Sequence, residues 1–217
     1  MRNDKHIAEK LRRLGKSYNA ISRELDIPKS TLSDWFSKTM WSKRTKIELT
    51  RRANYIAKKR LRLINKKRRE MWEQRREEAR EEARRAFPRL SRDPLFVAGA
   101  MLYWGEGDSK LKNPLRLTNT NPKMIAIYIK YLVTKVNIPK TNLRLTLILY
   151  PDLSEKKCKR FWSKATSLPE TQFYKTQFIK GRHPTARLSN GICMIACSGR
   201  IIKEKVMTWI DLLSKHL

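Results

Sequence analysis

The spacing of apolar and polar positions changes several times along the chain, and each change marks an element. Ile7, Leu11 and Leu14 recur at helical intervals ahead of Gly15, which predicts a short amphipathic helix over residues 6–14. Ser17 is placed to cap a second helix carrying Ile21 and Leu25, and a third is expected from about Pro28, with Ile27, Leu32 and Trp35 turned inward. Residues 41–87 contain neither glycine nor proline. One long helix, or two in series, is predicted there, closed by Pro88 and reaching on the order of 70 Å at ~1.5 Å per residue. Its stripe is thin: Ile47, Ala53, Ile56, Ala57, Leu61 and Ile64 in the first half. The second half relies on pairs such as Glu77 with Arg80, or Glu81 with Arg84 and Arg85.

Beyond residue 93 helical and alternating patterns mix. Residues 95–104 are apolar throughout, and residues 115–118 form a short strand. Asn121 and Pro122 open a helix through Val136, with Ile125, Ile129 and Leu132 on its inner face. Residues 143–150 alternate most clearly, burying Leu143, Leu145, Leu147 and Leu149 and turning Arg144 and Thr146 the other way. The same alternation turns Arg116 and Thr118 outward. Ser154 caps a helix containing Cys158, Phe161 and Trp162, followed by strand-like runs at 172–180 and 186–197 and a last helix over 200–213. The class is α+β. Three parts are expected: a three-helix unit in residues 1–40, a long basic helical linker in 41–90, and a mixed helix-and-strand domain in 91–217.

Within the first part, residues 20–35 place a small residue, Ser22, four positions before Asp26, a turn residue that tolerates the left-handed conformation. Buried Ile27, Leu32 and Trp35 follow. This run resembles the helix-turn-helix of resolvase-like and transposase-like DNA-binding domains, with Asp26 in place of the usual glycine. The resemblance implies that the third helix enters the major groove, with Lys29, Ser30, Ser33 and Asp34 at base edges and Thr31 at phosphate. No serine-recombinase or DDE-type catalytic domain accompanies it.

Charge narrows the class of partner. The 217 residues carry 50 Lys and Arg against 20 Asp and Glu, a formal net charge of +30, which points to a polyanion. Lys58, Lys59 and Arg60 begin a basic surface on the long helix, repeated at Lys66 to Arg69. No apolar run reaches the roughly 18 residues of a membrane span, and the polar N-terminus has no signal-peptide pattern. A cytoplasmic protein, on the nucleoid when bound to DNA, is expected. The three cysteines, Cys158, Cys193 and Cys197, form no CxxC pair and read as buried thiols.

The densest cluster of unusual features is LFVAGAMLYWGEGDSK, residues 95–110, where small residues at Ala98, Gly99 and Ala100 precede an acid between two glycines. It resembles the signature helix of LAGLIDADG homing endonucleases in the variant that reads GEG, with Glu106 and Gly107 on the closing acid and glycine. Met101 and Trp104 depart from that pattern. The resemblance implies a saddle-shaped sheet over duplex DNA and a homodimer meeting through Ala98, Gly99 and Leu102. It also implies Glu106 as the catalytic carboxylate and ligand of Mg²⁺, with Asp108 a weaker metal ligand. Arg116, Thr118, Arg144 and Thr146, with Lys110, Lys112 and Lys175, are the DNA-contact candidates of this domain. The expected function is sequence-specific duplex binding with homing-type cleavage. A non-catalytic regulator with a degenerate LAGLIDADG domain is the alternative, and RNA a less favoured partner.

Overall fold

A computed structural model of the chain describes residues 4–179 and 188–216. The chain divides into two compact units between Met71 and Trp72, inside a single helix, so the linker expected over residues 41–90 is shared by both.

The first unit comprises α1 (Lys5–Arg13), α2 (Tyr18–Leu25), α3 (Lys29–Phe36) and the first part of α4 (Met40–Leu90). The Ser17 hydroxyl accepts the Ala20 N–H, and Asp26 ends α2 at φ 50°, ψ 42°, so a single left-handed residue redirects the chain into α3. Ala8, Ile21, Ile27, Leu32 and Phe36 form the core. Trp35 is only partly buried, and Phe36 takes the inner position expected of it. The inner face of α1 also differs from expectation. Leu14 is 71% exposed and Ile7 projects outward, whereas Arg12 is 3% exposed. Its guanidinium donates to the Ser42 hydroxyl (3.1 Å), the Ser42 carbonyl (2.9 Å) and the Lys16 carbonyl (2.9 Å), and lies over the Tyr18 ring. A fully partnered guanidinium tolerates burial, and it turns the helix toward α4.

Helix α4 continues through Pro88 to Leu90. The missing N–H removes one backbone bond near the helix end, while buried Phe87 and Leu90 hold the last turn in the second unit's core. Every residue from 51 to 75 is exposed, so the thin stripe expected there has no cover. The C-terminal turns instead bury Ala79, Ala83, Phe87 and Leu90 at helical spacing. There the Trp209 indole donates to the Ala83 carbonyl at 3.0 Å and Arg80 pairs with Glu204 at 2.6 Å.

The second unit continues with α5 (Pro94–Glu106), β1 (Leu115–Asn119), α6 (Pro122–Thr134), β2 (Leu143–Leu149), α7 (Glu155–Thr166), β3 (Gln177–Phe178), β4 (Ile192–Cys197) and α8 (Arg200–His216). Asp93, Asn121 and Ser154 each cap the helix that follows with a side-chain oxygen. The mixed sheet has the order β1-β4-β2-β3, with β4 antiparallel to both neighbours and β3 parallel to β2. Leu115, Leu117, all four leucines of β2, Cys193, Ile195 and Cys197 are buried on one face. Of the runs expected at 172–180 and 186–197, strand geometry covers the two short segments just named, and residues 180 and 186–187 lie outside the described part. One helix follows each of β1 and β2, in the order the spacing predicts, and α8 follows the pair β3 and β4.

Candidate nucleic-acid interface

Two exposed surfaces collect the polar residues singled out above. On α3, Lys29, Ser30 and Asp34 are exposed and Thr31 and Ser33 half-buried. Leu32 and Phe36 anchor the helix from below. Because Asp26 supplies the tight turn, the first turn of α3 projects from the unit with these side chains free of partners among the described residues.

On the sheet, the face opposite the leucines carries a paired arrangement. Arg116 and Arg144 lie either side of Ala196, and Thr118 and Thr146 either side of Met194. Arg144 is folded onto its own strand start, donating to the carbonyls of Thr141 (2.5 Å) and Leu143 (2.8 Å). Thr146 is only 4% exposed, at the position paired with Met194. Its hydroxyl is therefore withdrawn from solvent, which corrects its place among the contact candidates.

The end of α5 is stitched to β1. Gly107 bridges to Leu117, and the Asp108 N–H donates to the Arg116 carbonyl at 3.2 Å. Gly107 has φ −87°, so smallness, not positive φ, is what the position requires: a Cβ there would stand 2.4 Å from the Tyr103 carbonyl oxygen. Glu106 closes the helix exposed and, among the described residues, without a hydrogen bond or ion pair. Asp108 is the opposite case. Its carboxylate accepts from Arg116 (2.6 Å), Asn113 (2.7 Å) and the Lys110 N–H (2.9 Å). The Asn113 amide first, then the Lys110 N–H, hold its acidity at about 2.

Beneath this turn is Lys203, 0% exposed. Its ammonium donates to the carbonyls of Lys110 (2.7 Å), Asn113 (3.4 Å) and Pro114 (3.5 Å) and lies 4.0 Å from Asp108. Burial lowers its pKa, partly offset by Asp108. The turn over residues 108–114 is thus tied to α8 as well as to β1, and both Lys110 and Lys112 project from it into solvent. Sequence reasoning passed over Lys203, although it falls in line with buried Val206, Ile210 and Leu213 at helical spacing. A lysine on the inner stripe of a helix was the available signal.

The small residues of α5 divide between two faces. Gly99 is buried against α6, where a Cβ would stand 2.1 Å from Tyr131 Cγ, so its close approach is made within the chain and not at a dimer axis. Leu102 is half-buried against the same core. Ala98, Met101 and Gly105 face outward with Trp104, which is 50% exposed. Helix α5 is apolar all round up to Glu106, and among the described residues this second face has no cover. On the inner side Tyr103, Tyr128 and Tyr131 stack in sequence. The Tyr103 hydroxyl donates to the Asp108 carbonyl at 2.6 Å, while those of Tyr128 and Tyr131 are buried without partners among the described residues. Lys58, Lys59 and Arg60 are exposed on α4, and Lys175 is exposed just before β3.

All three cysteines are buried thiols. Among the described residues no three of His, Cys, Asp and Glu gather as a metal site, and no helix is long and apolar enough to cross a membrane. Comparison with protein-family models, curated proteins and solved structures finds no match.

Proposed function

We propose that the chain is a sequence-specific duplex DNA-binding protein. The observation that carries this reading is α3: a helix set off by a left-handed turn at Asp26, presenting unpartnered Lys29, Ser30 and Asp34 from a chain of net charge +30. Short polar side chains on an outward helix suit base edges, and the cationic surroundings suit phosphate. In the second unit, Arg116 and Thr118 on the half-open sheet face are the contacts proposed for a saddle over the duplex.

Homing-type cleavage is a second reading, favoured by Glu106, the unpartnered carboxylate at the end of α5. A single copy does not fit Mg²⁺, which takes oxygen ligands in a near-octahedral set. Among the described residues Glu106 stands alone, and the Asp108 oxygens are engaged by cationic and amide donors. Cleavage therefore belongs to a homodimer in which each copy brings one Glu106. The outward face of Ala98, Met101 and Trp104 is the surface such a pair would bury.

Selection from a random-sequence duplex library tests the first reading. The protein should enrich a defined site, and its affinity should fall about 10³- to 10⁵-fold from 50 to 200 mM salt if roughly 6 to 10 phosphates are contacted. Lys29→Ala and Ser30→Ala should each relax the preference at one or two positions. Equal affinity at both salt concentrations, or no enrichment over mixed sequence, would overturn it; stronger binding to RNA of mixed sequence would move the reading to that partner.

A further inference from the structure

The bare section of α4 holds a second candidate reader, and this inference rests on the duplex-binding proposal above. Between residues 51 and 69 there are ten cations and no carboxylate, all exposed. The ion pair there is Lys66 with Glu70, at 3.9 Å and largely in solvent. Such a helix repels a second copy laid alongside it in register, so a polyanion is the partner that relieves its self-repulsion.

The arrangement of the cations selects the kind of polyanion. Asn54, Ala57, Lys58, Leu61 and Asn65 recur at i, i+3, i+4, i+7 and i+11 and so share one face. Arg51, Arg62 and Arg69 run along one flank of it and Arg68 stands on the other, with Arg60 and Lys67 further round toward the back of the helix. A helix adapted to a lipid surface keeps an apolar sector clear of charge. Here Arg60 and Lys67 fall inside the sector that holds Ile56, Leu63 and Ile64. A duplex major groove, about 12 Å wide, instead puts base edges beneath a helix and a phosphate ridge on each side, which is the order of this surface.

A second observation agrees. A groove of about 1180 Å³ separates α3 from the start of α4, lined by Ser33, Ser37, Lys43, Lys46, Arg51 and Asn54 among others, with no carboxylate. A phosphate strand can pass there with hydroxyls on one wall and cations on the other. Asn54 and Arg51 belong both to this groove and to the bare helix.

We infer that residues 51–69 of α4 lie in the major groove of the bound duplex as a reading helix separate from α3, with Asn54 at a base edge and the flanking cations on both phosphate strands. The length, ~27 Å at 1.5 Å per residue, stays within the ~34 Å of one duplex turn, so a straight helix can follow the groove.

The test uses the full chain on the duplex enriched from a random library. A triple variant, Arg51→Gln with Arg62→Gln and Arg69→Gln, keeps good helix formers and should keep the far-ultraviolet circular dichroism. Its log-affinity against log-salt slope should be shallower by about 3, and Asn54→Ala should lose roughly tenfold discrimination at one base pair that Lys29→Ala leaves intact. If the wild type enriches a site while slope and selected motif are unchanged in these variants, this inference fails and the duplex-binding proposal stands. If the wild type binds no duplex, that proposal fails and takes this inference with it. Loss of binding to phosphatidylserine-containing vesicles or single-stranded RNA, with duplex binding untouched, overturns the groove assignment in favour of those surfaces.

Discussion

Gly99 lies against Tyr131 so closely that an added Cβ would stand 2.1 Å from the ring's Cγ. The contact joins α5 to α6 in the middle of the second unit, and backbone and ring cannot both yield. Gly99→Ala should therefore destabilise the protein by about 1–3 kcal/mol through overpacking, and Gly99→Leu should leave the second unit unfolded. Tyr131→Phe keeps the ring and removes a buried hydroxyl with no partner, so it should be neutral or stabilising by about 1 kcal/mol. Urea unfolding of both variants checks the pair of outcomes. A Gly99→Ala protein as stable as the wild type means that α5 and α6 are not packed this way.

Asp108 organises the turn after α5 and should show it in acid. Its folded-state pKa is held at about 2, below the ~3.9 of an unperturbed aspartate. A carboxylate with a depressed folded pKa contributes stability that is complete above its unfolded pKa and disappears as pH falls through the folded value. Stability should decline between about pH 4 and pH 2, and Asp108→Asn should flatten that part of the curve while lowering the plateau. Stability measured by denaturant titration across this pH range decides it. An unchanged slope in the variant would show that other acids carry the dependence.

Glu106 separates the two functional readings. Glu106→Gln preserves size and hydrogen-bonding reach but removes the charge that a divalent ion requires. Duplex binding should survive or tighten, since on the proposed reading a negative group leaves an end that faces phosphate, and any nicking of the enriched site in Mg²⁺ should stop. Asp108→Asn should leave nicking largely intact, because the Asp108 oxygens are already held by Arg116 and Asn113. A Glu106→Gln protein that still cuts moves the chemistry to other residues. A wild-type protein that binds its site and never cuts it in Mg²⁺ or Mn²⁺ decides for the regulator.

Local rules made much of the chain legible from its sequence alone. Ser17, Asn121 and Ser154 cap the helices expected of them because a cap needs only a side-chain oxygen and the amides that follow. Asp26 takes the left-handed turn, and the alternating leucines of β2 are all buried, because a strand's period of two sorts faces without reference to distant partners. Which way each element turns was decided by groups far away in sequence. Arg12 displaced Leu14 from the inner face of α1 because Ser42 and the Lys16 carbonyl satisfy its donors while the Tyr18 ring lies against its guanidinium, and Gly99 was drawn inward by Tyr131. Asp108 was claimed by Arg116 and Asn113 while Glu106, two residues earlier, was left open. Lys203 became a buried tie for the turn over residues 108–114 because three backbone carbonyls converge on it. Spacing specifies which residues share a face; whether that face meets a ring, a cation or water depends on elements that only the folded chain brings together.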